Sequence, residues 1–217
     1  MGNELSVSLP PEALKDNITF VDLDRYPNTV RDVTEDEARE FFNLYRTQVS
    51  WCHDWLMKLK GFGISFPQIG VPINAAVMRF NLQQRPGLFL NICHLPNKAK
   101  KRTSSMEACY SVGFGAVPFS HTRWRKINAQ WRDPAFVLHD KVMRIPNPSR
   151  EVQAGHIFQH ECEHMLDDFP AFVSALLKQS TNFKPRKKIL ALVDEIKGGM
   201  RQIEPIFDPM GKYHVFD

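Results

Sequence analysis

The chain has 217 residues, 43% of them hydrophobic and 24% charged, with a formal net charge of +4. That length suits one domain, or two small ones, with core enough to fold without a disulfide or metal staple. The composition is globular, and no run approaches the ~18 apolar residues of a membrane span, so neither a membrane nor DNA is expected as a partner. Cys52, Cys93, Cys109 and Cys162 show no CxxC pairing. Free thiols in a reducing compartment fit best, hence a cytoplasmic location, with organellar and lipid-anchored forms left open.

Residues 1–33 are polar and proline-punctuated and read as an arm along the domain. The start Met1-Gly2-Asn3-Glu4-Leu5-Ser6 lacks secretory features. It matches the N-myristoylation pattern, against which an ordinary start or a cloning remnant is the plainer reading. Thr34 and Glu37 form a capping box. Ala38, Phe41, Tyr45, Val49, Cys52, Leu56 and Leu59 then recur at helical spacing over about six turns, and Gly61 ends that helix. Gly61-Phe62-Gly63-Ile64-Ser65-Phe66-Pro67-Gln68 follows, with two glycines that allow close backbone approach.

Strands are expected at 74–80 and 88–94, a polar loop over 95–105, and strands at 122–131 and 135–144 around a turn at Asp133-Pro134. In the third of these strands Arg123, Arg125 and Asn128 oppose Trp124, Ile127 and Trp131, as on a half-exposed antiparallel strand. Asn147-Pro148-Ser149 reads as a helix start, the helix running through Val152, Ile157 and Phe158 to His164. Further helices are expected near 170–178 and over 185–203, and a tail after Pro205. Basic clusters at Lys98, Lys100, Lys101 and Arg102, and at Lys184, Arg186, Lys187 and Lys188, read first as solvated charge. RNA or a ribosome surface is their alternative partner.

Gln159-His160-Glu161-Cys162-Glu163-His164 carries an H-E-x-x-H pattern. On a helix His160 and His164 lie one turn apart on one face and can share a divalent metal, with Glu161 beside it to take a proton from water. Two ligands do not complete such a site. The best third is Cys109, in Glu107-Ala108-Cys109-Tyr110-Ser111, since a thiolate binds zinc or ferrous iron strongly. Its distance along the chain suits a strand-borne ligand facing a helix. His156, in helical register with His160, is a conceivable further ligand or a pocket residue; Cys162 points away from both histidines and reads as a packed thiol.

The three stretches at 61–68, 107–111 and 159–164, in that order, resemble the signature motifs of peptide deformylases, G-x-G-x-A-A-x-Q, E-G-C-x-S and Q-H-E-x-D-H. The resemblance covers roughly 34–180 as a catalytic domain, leaving 1–33 as an N-terminal arm and 181–217 as a C-terminal helix and tail. It implies an α+β fold with antiparallel strands packed around a central HExxH helix, with an N-terminal helix and a C-terminal helix. It also implies one divalent metal per chain, held by Cys109, His160 and His164, with a hydroxide in the fourth position. Iron(II) is native to the family, and zinc, nickel or cobalt can replace it.

In the implied reaction the hydroxide attacks the formyl carbon of an N-formylmethionyl nascent peptide, and formate leaves. Glu161 acts as base and then acid. The Gln68 side chain and the Tyr110 backbone N–H hold the oxyanion. Phe62 and Gly63 offer main-chain groups to an extended substrate, His156 lines its pocket, and Gly61 and Glu107 have supporting roles. A monomer is expected, with the ribosome surface as a further partner to test. The chain departs from the motifs at Ser65-Phe66 for Ala-Ala, Ala108 for Gly and Glu163 for Asp. Phe119 stands where Arg is common, and His156 among apolar pocket positions. These departures predict a side-chain preference other than plain formyl-Met. Two further readings compete. A zincin-like endopeptidase leaves Cys109 and Gln68 unexplained. A deformylase-shaped protein without activity is disfavoured because every catalytic group is retained.

Overall fold

The computed structural model describes residues 18–21, 23–96, 101–107, 109, 111, 119–145 and 154–179. Gly2, Ala108 and Tyr110, the helix start at 147–149 and the helix at 185–203 lie outside them, as do the side chains of Glu107 and Phe119. Among the described residues no helix is long and apolar enough to cross a membrane.

The capping box forms as expected. Thr34 Oγ1 accepts from Glu37 N at 3.2 Å and Glu37 Oε2 accepts from Thr34 N at 3.0 Å, opening α1 (Glu35–Arg39). The single helix expected from there is two. Glu40, at φ −97° and ψ 6°, separates α1 from α2 (Phe41–Leu59), and Tyr45 departs from helical geometry again at φ −126°. These departures re-aim the apolar stripe, so that Phe41, Tyr45, Val49, Cys52 and Leu56 are all at most 1% exposed. Lys60, left-handed at φ 53°, ends α2 one residue before the expected Gly61.

The strands are β1 (Gly63–Ser65), β2 (Ala75–Met78), β3 (Gly87–Pro96), β4 (Arg102–Glu107), β5 (Phe119–Trp124), β6 (Lys126–Arg132) and β7 (Leu138–Arg144). The helices α3 (Ala154–Glu163) and α4 (Phe169–Gln179) follow. A five-stranded antiparallel sheet has the order β1-β2-β3-β6-β7, and β4 and β5 form a separate antiparallel pair. Two sequence expectations are corrected here. The loop placed over 95–105 contains the end of β3 and most of β4. The strand placed at 122–131 is two strands in different sheets, parted at Arg125, whose N–H donates to the Lys101 carbonyl and whose carbonyl accepts from Ile145 N–H. A continuous β-prone run hides such a switch, because propensity does not report which neighbour a strand pairs with.

Alternation then divides the core. Ala75, Val77, Leu88 and Leu90 face the cluster built on α2, while Ala76, Met78, Phe89, Ile127, Ala129 and Trp131 face Ile157 and Phe158 of α3. Both faces of β2 are covered, so all four of its residues are buried. Asn91 sits at a register shift in β3 with φ 50°, a conformation asparagine tolerates, and its amide bonds both the N–H and the carbonyl of Val33. The segment before α1 is therefore pinned to the sheet. Arg31 adds a parallel bridge to Ile73, and Val21 N–H donates to the Gln68 carbonyl at 2.9 Å.

Candidate metal centre

β1 and α3 meet at the site. Residues 63 and 65 share one face of β1. Ser65, fully buried, donates from Oγ to Oε2 of Glu161 at 2.5 Å. Gly63 lies under the same carboxylate, and any Cβ there would overlap Oε1 and the carbons behind it. The glycine of the motif is thus a requirement of Glu161, not of a turn. Phe66, a large residue where the deformylase motifs have Ala, points the other way, against Phe41 and Tyr45 in the core. It fills the hydrophobic cluster and takes no part in the site, contrary to its placement among the substrate-choosing positions.

Gln68 is 1% exposed. Its Oε1 accepts from Ser65 N–H at 2.8 Å, which assigns the amide orientation and turns Nε2 toward Ser111 Oγ (3.2 Å) and Cys109 Sγ (3.5 Å). Cys109 is buried two residues beyond β4 rather than on it. Cys109 Sγ is 3.3 Å from His164 Nε2, and one donor atom each from Cys109, His160 and His164 lies within 4.8 Å of the others. Donors at about 2.0–2.3 Å from a tetrahedral ion stand roughly 3.5 Å apart, so the set needs little adjustment to close on one. His160 is the last-turn residue of α3, and His164 lies just past it, its N–H bonded to the Glu161 carbonyl at 3.2 Å.

Burial acts on His164 and Glu161 in directions that suit this use. It pushes the His164 imidazole well below its ordinary pKa, keeping the ring neutral and able to ligate. It raises the Glu161 carboxyl, an effect opposed by His160 and by the Ser65 hydrogen bond. It also raises the Cys162 thiol, which packs beside the α3 core and is no member of the donor set.

Several residues around the three donors were given no role from the sequence. Arg123, expected on an exposed face, is 1% exposed and ion-paired with Glu163, whose Oε1 also meets His121 Nε2 at 2.8 Å. Their shared parity on β5 is the signal that would have paired them. Arg123 NH2 lies 3.2 Å from His160 Nδ1. A guanidinium only donates, so with this contact Nδ1 accepts and the neutral ring carries its proton on Nε2; a neutral ring that ligates through Nε2 carries its proton on Nδ1 instead and gives up this hydrogen bond. Gln159 docks α3 onto β5, accepting from Trp124 N–H (2.8 Å) and donating to the Trp124 carbonyl (2.9 Å). Tyr26, from the presumed arm, places its hydroxyl 3.0 Å from His164 Nδ1.

The expected substrate residues divide. The Phe62 carbonyl accepts from Arg79 N–H at 2.7 Å and is therefore committed to the sheet. Strand alternation turns the main-chain groups of Gly63 to the open edge of β1. The Gly61 carbonyl accepts from Arg79 Nε at 2.8 Å. His156 is half-buried on α3, one turn before His160. Glu107 contributes the last backbone position of β4, opposite Phe119.

Residues 28–167 match the family model described as polypeptide deformylase. Among solved structures, a peptide deformylase from Thermotoga maritima is 17% identical, with a TM-score of 0.54 over 70% of this chain and 94% of that one. One from Legionella pneumophila is 16% identical, with a TM-score of 0.54 over 86% and 98%, and a plant peptide deformylase is 18% identical, with a TM-score of 0.54 over 86% and 90%. At that identity these structures establish a shared fold. No curated protein matches the chain. The matched span exceeds half the sequence and includes Gln68, Cys109, His160, Glu161 and His164, the groups that converge here; the chain belongs to the polypeptide deformylase family.

Proposed function

We propose that the chain removes the N-formyl group from the N-terminal formylmethionine of nascent polypeptides, with Cys109, His160 and His164 holding one divalent metal. The convergence of those three donors, with the Glu161 carboxylate and the Gln68 amide buried beside them, carries the reading. One thiolate and two imidazoles suit iron(II), zinc, nickel or cobalt, and three protein ligands leave a position open; iron(II) is taken as the native ion. When bound, such an ion supplies Lewis acidity that activates water and polarises a carbonyl.

The chain's own groups do the rest. Glu161 takes a proton from the attacking water and delivers it to the amine nitrogen as the C–N bond breaks, so formate and a free amino terminus result. Gln68 Nε2 and the Tyr110 N–H donate to the formyl oxygen as charge develops there. Gly63 pairs the substrate backbone along the edge of β1, and His156 lines its first side chain; the Phe62 carbonyl, expected to serve the substrate as well, is held by Arg79. Gly61 and Glu107 support the two motif loops. This reading takes α3 as the central helix and 34–180 as the catalytic domain, between the N-terminal arm and the C-terminal helix and tail. It places a monomer in the cytoplasm, acting on chains at the ribosome surface.

The test is formate release from formyl-Met, formyl-Leu and formyl-Phe peptides, with metal content determined on the same anaerobic sample. Formate release supports the reading, and a Glu161→Ala protein should keep its metal and lose nearly all turnover. Cleavage of internal peptide bonds without formate would make the chain an endopeptidase. An ordinary strong preference for formyl-Met would remove the altered-pocket expectation and leave the activity standing.

A further inference from the structure

Tyr26 lies outside the span that matches the family model, in the segment before α1. It is 4% exposed, and its ring packs on Phe169, which in turn packs on the His164 ring at 4.3 Å. Its hydroxyl donates to the His164 carbonyl at 3.0 Å and stands 3.0 Å from Nδ1 of the same residue. A phenol has one proton. With that proton on the carbonyl, which can only accept, the oxygen is left to accept from Nδ1–H. The ring then carries its proton on Nδ1 and presents the Nε2 lone pair, on the side where Cys109 Sγ lies at 3.3 Å. A ligating histidine is generally oriented through its second nitrogen in this way, by a carboxylate, a carbonyl or water. Here the partner is a phenol brought from far upstream in the chain.

We propose that Tyr26 is a positioning residue of the metal centre: it selects the Nδ1–H tautomer of His164 and fixes the ring, so that the N-terminal segment completes the site. The inference rests on the metal-ligand reading given above. It also gives the segment before α1 a task. Val21 and Arg31, bonded to Gln68 and beside Ile73, hold that segment across the site and so deliver the hydroxyl.

The experiment uses the full-length zinc-loaded protein and its Tyr26→Phe variant. Zinc affinity is measured by competition with a chromogenic chelator, and the histidine ring nitrogens are assigned by 15N NMR. The parent should show His164 bound through Nε2 with Nδ1 protonated. The variant should hold zinc roughly 10- to 100-fold more weakly, while Leu23→Ala, which loosens the packing around Tyr26 and keeps the hydroxyl, should stay near the parent. Parental zinc affinity in a folded Tyr26→Phe protein overturns the proposal, and so does His164 ligation through Nδ1 in the parent, a result that needs no variant. If the parent binds zinc and releases formate in either case, only the role of Tyr26 has failed. If the parent binds no zinc, the metal reading falls and takes the proposal with it.

Discussion

Glu161 is prepared by what stands beneath it, a bare α-carbon at Gly63 and a hydroxyl at Ser65, two positions apart on one strand face. The two should fail differently. Gly63→Ala must displace a buried carboxylate, and a misplacement of about 1 Å is worth roughly 100-fold in rate. That variant should keep its metal and lose kcat by about that factor or more; near-parental kcat would mean Glu161 is not where the reaction needs it. Ser65→Ala removes the hydroxyl that bonds the Glu161 carboxylate and carbonyl and caps the turn carrying Gln68, and adds no bulk beneath the carboxylate. Its kcat should fall about 10-fold with KM little changed, as expected when a group that orients the base and does not touch substrate is lost. A change confined to KM would assign Ser65 to substrate binding instead.

At the scale of elements, the entry to α1 is held by one carboxylate used twice. Glu37 closes the capping box with Thr34 and takes Arg31 in a two-point pair at 2.6 and 2.8 Å. The Arg31 hydrogen bonds hold its carboxyl below the usual glutamate range. A depressed carboxyl stabilises the fold above its unfolded pKa of about 4.3, and that contribution is lost as pH falls through the lower folded value. Glu37→Gln keeps a capping residue and loses the charge, so it should cost up to about 1 kcal/mol at pH 7, and urea titrations should show parent and variant converging as pH drops below about 4. A difference that stays constant over that range would mean the charge contributes nothing. This cap was legible in the sequence because all its parts lie within four residues. So were the three motif stretches, whose residue types are dictated by chemistry. Arg123 was misjudged because alternation marks two faces without saying that both are covered. The parting of β5 from β6 at Arg125 was invisible for a related reason, being settled by pairing with distant strands. Tyr26 is one aromatic residue in a polar segment, and only the assembled fold shows it beside His164.

For the whole molecule, the three proposed ligands come from two pieces of structure whose strands pair separately. Cys109 lies between β4 and β5 in the chain, while His160 and His164 belong to α3 and the turn after it, against the five-stranded sheet. An ion bound there would add a further tie to the Gln159–Trp124 and Arg123–Glu163 contacts that already join them, and the unfolded chain offers no such arrangement. Binding confined to the folded state adds stability as RT ln(1 + [L]/Kd), about 2.7 kcal/mol at a free metal concentration of 100 Kd. In a chain of this size each kcal/mol moves the midpoint by about 2–4 °C. Thermal melts with zinc at that concentration should therefore lie about 5–11 °C above melts with excess chelator. Cys109→Ser should lose most of that shift, whereas Cys93→Ser, at an exposed thiol outside the donor set, should retain it. Equal midpoints with and without zinc in the parent would mean that the folded site does not take the ion. An equal shift in Cys109→Ser would mean that the stabilising ion sits elsewhere.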